Sequence, residues 1–545
     1  ITYGQGYEES KQPEYSDGKV TVHAKQIVQS TGQEISYDKT ICSLSLPVPT
    51  DARKGDTLSY AVPSGYYVSN TVGMTFSQAE EKIPLTAKYD ITAGQAIAGF
   101  PVTFQITDEE GNEADASVKV YDSQDNELGN PYTFDTDGRK TVYAKDAEGR
   151  RSWNYDIVVS ALGTDDEGKP FGIQNNASTN GSSSKNITWL AAIATSKDAA
   201  LIRLSDSPEK LESAVPLAGT SKLMTFTQTG TGDAYRFNEV KLKNLTPGTT
   251  YWYQAGDGEK WSEPLKFTMA AEQKDAKTNF FVFADIQTND TANLSAAISR
   301  IASGNVQYDF GIQTGDAIDN VTAFNNWRGY LTTLNSQKLG GIDVIHTLGN
   351  HEYYGDSEGN IAGTIFSLTK HSAGSYYSSE YGSVYTGVVN DGGDILNALA
   401  EAKKDAAKSD CAWKVLVLHQ PIYGTESVMS ESKRLEVVNA IEEAGFDIVL
   451  SGDDHAYART YPMKGDKALT EDSREGVVYY VCGDLSGKDN EYHEQEYFAE
   501  SIPHREYTGM YMSVEADGQE MTLNAYKYDG SLLDSYTIKK TDCEL

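Results

Sequence analysis

Residues 279–287 read NFFVFADIQ. Phe280 to Ala284 are apolar without a break, and Asp285 follows directly. An apolar run that lacks the alternation of a half-exposed strand is expected of a strand covered on both faces. Ending it on a carboxylate places a group that is costly to desolvate at the strand's carboxyl end. The pattern recurs in YDFGIQTGD (308–316), DVIHTLGN (343–350), KVLVLH (414–419) and DIVLSGDDH (447–455). Between these runs lie helical patterns: TANLSAAISRIAS, AFNNWRGYLTTLNS and SKRLEVVNAIEEAG, the last with Leu435, Val438 and Ile441 expected on one buried face. Strands alternating with helices predict a layered α/β domain over 276–541. Its tail, 510–540, predicts antiparallel strands that close the sheet.

Upstream the texture is all-β. In LKNLTPGTTYWYQAGDGEKWSEPLKFT (242–268), Leu245, Pro247, Gly248 and Tyr251 have the spacing of a tyrosine corner, in which a Tyr hydroxyl bonds back to an upstream backbone group. Residues 164–271 therefore read as a fibronectin type III-like domain. Residues 19–88 and 89–163 read as two small β-sandwich modules, the second Ig-like, with short runs broken by Asp, Glu, Gly and Asn turns. Residues 1–18 are a polar arm. The whole is expected to be multidomain, with β-modules leading into one α/β domain.

With 545 residues the chain is too long for one core and suggests roughly three or four domains. A net charge of −33 repels nucleic-acid backbones and anionic lipid, so no nucleic-acid partner is expected. A small phosphorylated ligand stays compatible, because a bound metal reverses the potential of one pocket. No apolar stretch reaches the roughly eighteen residues of a membrane span, so no membrane insertion is expected. Beginning at Ile1 without Met, the chain is expected to be a mature or trimmed form. Its acidic, Tyr-rich, Cys-poor composition with tandem β-domains predicts a secreted or cell-surface bacterial protein, with glycan or cell-surface contact through the N-terminal modules. Cys42, Cys411, Cys482 and Cys543 show no metal-ligand spacing, and their pairing is open.

Each of the five apolar runs ends in metal-ligand residue types: Asp285 with Gln287, Asp316, Asn350 with His351, His419, and Asp453 to His455. One Asp after a strand is ordinarily a turn residue or helix cap. Five strand ends presenting Asp, Asn and His are instead one pocket, because ligands of open α/β sheets sit outside the carboxyl ends of the strands.

The order TGDAID, LGNHEYY, LVLHQPIYG and SGDDH resembles the metallophosphoesterase (calcineurin-like) superfamily. With the fibronectin-like domain in front, residues 165–540 are most similar to the purple acid phosphatases. The resemblance implies a layered α/β/β/α sandwich and a dinuclear metal centre: Asp316 shared by both ions, Asp285 and His455 on the first, Asn350 and His419 on the second. His351 would face the phosphate as acid or hydrogen-bond donor. Asp319, Glu352, Tyr457 and Arg459 would support the ligands from behind. The chemistry is consistent with that set. Phosphate-ester hydrolysis is very slow uncatalysed, and two ions about 3.5–4 Å apart clamp the phosphoryl oxygens and acidify water.

Three positions depart from the pattern. Gln287 stands where a His is frequent. Asp319 stands where purple acid phosphatases carry a Tyr ligand, so the resemblance implies a colourless protein. Asp453 replaces one His of Gly-His-x-His, while His455 keeps its place and Asp454 is a spacer. A carboxylate at Asp453 shifts the second site from Zn toward Mn, Fe, Mg or Ca. The expected cofactors are two divalent or trivalent ions (Fe, Mn or Zn), with Mn or Fe favoured at the second site. Tyr376 and Tyr377 read as core, Tyr457 and Arg459 as structural, and His493 and His504 as loop residues near the pocket rim. The leading reading is a phosphomonoesterase acting on a small phosphorylated substrate. Its rivals are a phosphodiesterase or nucleotide pyrophosphohydrolase on the same clamp, and a glycan- or surface-binding protein with a degenerate phosphoesterase domain.

Overall fold

The computed structural model describes residues 87–164, 168–228, 231–287, 291–335, 339–426 and 429–540, and upstream of these the backbone of the strands Tyr7–Ser16, Lys19–Ser30, Gln33–Pro47, Thr57–Ala61, Gly65–Ser69, Val72–Phe76 and Glu80–Pro84. The segment expected as an arm over 1–18 contains the strand Tyr7–Ser16, which pairs antiparallel with Lys19–Ser30; that strand pairs in turn with Gln33–Pro47 within the segment read as the 19–88 module. The chain divides into two compact units, residues 1–161 and 162–545.

In the first unit the described part is all-β. Tyr89–Ala93 pairs antiparallel with Phe104–Asp108, and Gly138–Lys145 pairs with both Lys119–Asp122 and Tyr155–Leu162. Ile91 and Phe104 of one sheet meet Val120, Val142 and Val159 of the other in a single core. Apolar residues alternating along each strand produce that face-to-face arrangement, one side buried and one wet.

The second unit contains two sheets packed face to face. In one, Thr278–Phe283, Phe310–Gln313 and Asp343–His346 run parallel. Met510–Ala516 adds antiparallel to Thr278–Phe283, followed by Glu520–Lys527 and Leu532–Lys539, which closes the sheet as the tail predicts. In the other, Val384–Val389, Trp413–Leu418, Ile448–Ser451 and Val478–Cys482 are parallel, with antiparallel strands at both edges.

The run FFVF shows why four layers form. Phe281 and Phe283 point to one side and pack with Leu294, Ile298 and Trp327 of helices Ala292–Ser303 and Phe324–Leu334. Phe280 and Val282 point to the other and meet Val384, Val415, Val417 and Ile448 of the second sheet. That sheet's far face, with Leu416 and Val449, is covered by Leu399, Val437, Val438 and Ile441 from helices Ile395–Ala406 and Glu431–Ala444. Both faces of each central strand are therefore dry, at roughly 1.5–3 kcal/mol for each large apolar side chain buried. One expectation is corrected here. Leu435 is 41% exposed. The buried face of Glu431–Ala444 is Val437, Val438, Ile441 and Ala444, one position round from the stripe read in the sequence.

The segment expected to be fibronectin-like is continuous with this body. Its strand Phe171–Asn176 joins the first sheet beside Asp343–His346. The hydroxyl of Tyr251 accepts the Thr246 N–H at 3.1 Å, which is the bond-back expected of the tyrosine corner. Beneath the junction, the buried Lys185 Nζ lies 2.7 Å from Asp343 Oδ1. The Tyr381 hydroxyl donates to Asp343 Oδ2 at 2.7 Å. Cys411 and Cys482 are free and buried.

Candidate metal centre

Five strands deliver their polar ends to one place. Just past three of them, residues take backbone conformations that L side chains rarely adopt: φ is 43° at Asp285, 34° at Gln287, 57° at Asp316, 68° at Asp453 and 50° at His455. Such strain costs roughly 1–3 kcal/mol per residue and persists where surrounding structure imposes it, as at functional sites. The turns are tight because Gly349 and Gly452 admit neighbours that a Cβ would exclude. A Cβ at Gly349 would overlap the Asp316 carboxylate, and one at Gly452 the Asp285 carboxylate.

Asp285, Asp316 and His419 are fully buried and bring their ligand atoms within 4.8 Å of one another. Around them the predicted residues fall into two groups. On one side, His455 Nε2 is 3.5 Å from Asp285 Oδ1. On the other, His419 Nε2 is 3.3 Å from Asp316 Oδ2, 3.4 Å from Asp453 Oδ1 and 3.1 Å from Asn350 Oδ1. His351 Nε2 faces Asp316 Oδ2 at 3.8 Å.

The imidazoles are aimed from behind. His419 Nδ1 donates to the Thr314 carbonyl at 3.0 Å, and His455 Nδ1 to the Lys488 carbonyl at 3.2 Å. Each bond leaves Nε2 turned into the pocket as a potential ligand. His351 Nδ1 donates to the Asp319 carbonyl at 2.7 Å. Asp316 accepts the His351 backbone N–H at 3.0 Å and a bond from the Gln287 amide. Glu352, fully buried, ties two motif loops together. Its Oε2 accepts from Asp316 N and Gly349 N, both at 2.8 Å, and its Oε1 from Ile318 N at 3.2 Å.

Charges are set against one another. Burial pushes the Asp316 carboxyl up, but the charge and hydrogen bond of His419 outweigh it and hold the group at about 2. Burial pushes His419 down, and the facing Asp316, Asp453 and Asp285 carboxylates raise it well above the ordinary histidine range. His455 is raised to about 9 because Asp285 outweighs its burial. Burial lifts Asp285 itself, and burial together with the Asp316 charge pushes Glu352 up to about 8. A cation held here competes with the imidazole protons as counter-charge. The donor set fits one: Asp285 Oδ1 is buried without a hydrogen-bond partner. Carboxylates, neutral imidazole and an amide oxygen are ligands for divalent metals.

The two acids of SGDDH have different jobs. Asp453 offers its carboxylate to His419 and its backbone N–H to Asp285 Oδ2 at 3.0 Å. Asp454 is more than the spacer read in the sequence. It turns away, is buried, and accepts from Thr425 N–H, the Thr425 hydroxyl at 3.2 Å and Glu426 N–H at 2.9 Å. Burial pushes it up to about 6. It thus anchors the loop that follows His419.

Other predicted residues lie further out. Tyr457 and Arg459 both bond Asp534 at 2.7 Å and contact no site carboxylate. Tyr376 and Tyr377 lie in the strand Tyr376–Tyr381, their hydroxyls bonded to Tyr385 and to the His346 carbonyl. His493 is exposed beside Glu491 at 3.2 Å. His504 is buried on Asp484, at 2.5 Å, behind His455.

The segment 484–490 carried no pattern that sequence reasoning found. Asp484 Oδ2 accepts from Ser486 and Gly487, and its Oδ1 accepts from Tyr507, whose hydroxyl also reaches the His455 carbonyl at 3.0 Å. Lys488 Nζ donates to Gln287 Oε1 at 2.9 Å and Asp319 Oδ1 at 3.2 Å. Asn490 reaches the Asp453 carbonyl at 3.3 Å.

This arrangement of layers, strand ends and buried acids is the one that the sequence resemblance implies. Residues 170–269 match the family model of the purple acid phosphatase N-terminal domain. Residues 278–457, which include the candidate ligands from Asp285 to His455, match that of calcineurin-like phosphoesterases. The chain thus carries, in this order, segments that match a purple acid phosphatase N-terminal domain and a calcineurin-like phosphoesterase domain. It is similar to acid phosphatase type 7 of Danio rerio, 23% identical over 286 residues, which cover 45% of this chain and 63% of that protein. The chain thus spans somewhat under two thirds of that relative's length. The purple acid phosphatase from yellow lupin (Lupinus luteus) seeds shares the fold at a TM-score of 0.58 and 14% identity, over 84% of this chain and 97% of that one. Among the described residues no helix is long and apolar enough to cross a membrane.

Proposed function

We propose that the chain is a metal-dependent phosphatase that hydrolyses phosphate monoesters of small molecules at a dinuclear centre. One observation carries the reading: a fully buried Asp316, flanked on one side by the Asp285–His455 pair and on the other by His419, Asn350 and Asp453. A carboxylate between two ligand groups is what two neighbouring ions require. The first ion would be held by Asp285, Asp316 and His455, with Gln287 at its edge. The second would be held by Asp316, Asn350, His419 and Asp453. With one nitrogen donor among them, the second group favours Mn or Fe over Zn. When bound, the ions would supply Lewis acidity that neutralises phosphoryl charge and acidifies water.

The chain's own groups do the rest. Asp316 keeps one orientation because the His351 backbone, Gln287 and the Glu352 clamp hold it there. His351, with Nδ1 committed to the Asp319 carbonyl, carries any transferable proton on Nε2, the atom facing Asp316. Protonated there, it donates to the leaving oxygen as general acid. Asp454 and Glu352 position ligand loops and touch no reacting atom. Export from a bacterial cell is part of the same proposal, supported by the acidic, cysteine-poor composition.

The test is hydrolysis of an aryl phosphate monoester by the purified chain, with divalent metals added back after chelator treatment. Turnover that chelator removes and metal restores is expected. A fully metal-loaded protein that is inert toward the monoester from acid to mildly alkaline pH overturns the reading.

A further inference from the structure

Asp285, Asp316 and His419 form a buried floor. A substrate reaches that floor across the side chains that keep solvent contact: His351 (18% exposed), Asp319 (14%), Asp453 (28%) and Lys488 (41%). Lys488 brings to this rim the charge that complements a phosphate. Its ammonium is held by Gln287 Oε1 at 2.9 Å and Asp319 Oδ1 at 3.2 Å. The Gln287 amide in turn bonds Asp316, and Asp319 Oδ1 lies 3.6 Å from His351 Nδ1. The ammonium is therefore one side chain away from both the shared carboxylate and the imidazole of His351. Gln287 and Asp319, two of the three sequence departures, are the residues that hold it.

The backbone beneath Lys488 is fixed to the ligand loops. Its carbonyl accepts from His455 Nδ1 at 3.2 Å, and its N–H donates to Ser486 Oγ at 3.0 Å. Two residues on, Asn490 reaches the Asp453 carbonyl. The lysine is thus set beside both ligand groups by a loop tied to each. An ammonium has three donors, and two are engaged with neighbours at a partly exposed position, where ion pairs are weak enough to exchange partners.

We propose that Lys488 is a phosphate-contacting residue that selects the dianionic phosphoryl group of a monoester over the monoanionic group of a diester. The proposal rests on the phosphatase reading above. Coulomb attraction doubles with the second charge on the phosphoryl group. The chain as a whole, at −33, repels both esters, so discrimination between them has to be local. A compact ammonium on a flexible stem suits a phosphoryl oxygen that moves during the reaction.

The experiment uses the full metal-loaded chain, with Lys488→Met and Lys488→Arg beside wild type, metal content measured for all three. Inorganic phosphate affinity is read by calorimetry, and kcat and KM are read on an aryl monoester and a bis-aryl diester. Lys488→Met should weaken phosphate about 10- to 100-fold, as expected for loss of a charge-assisted hydrogen bond. Monoester kcat/KM should fall by a similar factor, chiefly through KM, while the diester value changes less than about threefold. Lys488→Arg should restore most of both. Unchanged phosphate affinity in Lys488→Met would make the residue a loop tie only and overturn the proposal, as would equal losses on the two esters or loss of metal. If wild type hydrolyses neither ester, the phosphatase reading falls, and the phosphate affinities still decide the role of Lys488.

Discussion

Glu352 holds the centre together without facing it, and removing it should show in stability before chemistry. Its carboxylate accepts three buried backbone N–H groups, from Asp316, Ile318 and Gly349. Glu352→Ala leaves all three without that acceptor. Each orphaned buried donor costs about 1–3 kcal/mol, and water entering the space left behind moderates the total, so about 3–6 kcal/mol is expected. Glu352→Gln separates geometry from volume. An amide oxygen in place of Oε2 keeps the bonds from Asp316 and Gly349, but its NH2 then opposes the Ile318 N–H. One bond is lost and two donors face each other, at about 1–3 kcal/mol. Because the clamp sets the backbone of Asp316 and Gly349, both variants should misplace Asp316 and Asn350. A displacement near 1 Å costs about 100-fold in rate. Urea unfolding followed by tryptophan fluorescence gives the stability, and metal content and monoester kcat/KM give the rest. An alanine variant that unfolds at the wild-type midpoint with full metal content would refute the clamp. So would a glutamine variant as damaged as the alanine.

His351→Ala should lower kcat about 10²- to 10⁴-fold while both ions stay bound; loss of metal would show that it is a ligand instead. Asp453→Ala should lower occupancy of the second ion and leave the ion at Asp285 and His455 in place; elemental analysis checks it, and unchanged stoichiometry and affinity would make Asp453 a loop residue. Lys185→Met should destabilise the second unit by about 3–5 kcal/mol, since it strands the buried Asp343 carboxylate, and Lys185→Met with Asp343→Leu should recover most of that. A loss below about 1 kcal/mol in the single variant, read by urea unfolding, would refute it.

Much of the centre was legible because its chemistry is written at strand ends. An apolar run closed by Asp, Asn or His carries two messages, a dry strand and a polar group at its carboxyl end, and both depend only on neighbours in sequence. That is why Asp285, Asp316, Asn350, His351, His419, Asp453 and His455 emerged together. Helix faces were less legible. Leu435 and Val438 satisfy a helical stripe as well as Val437 and Val438 do, and packing against the second sheet chose the latter pair. The two acids at 453 and 454 were adjacent letters of one type, and only the turn at Asp453, with φ at 68°, sends them opposite ways.

The sequence by itself determined an α/β layered domain, because FFVF and its fellows must be covered on both faces, whereas the choice of a second sheet for one of those faces was made by the tertiary packing. It also determined which residue types converge. Tertiary structure alone decided what surrounds them. Lys488 and Gln287 are 201 positions apart, Asp454 and Thr425 are 29, and Asp484 meets His504 across 20. None of these pairs has a period or spacing to announce it. Loop residues acquire partners only when the strands beneath bring their ends to one edge, and the bonds they then make depend on backbone conformation at that edge.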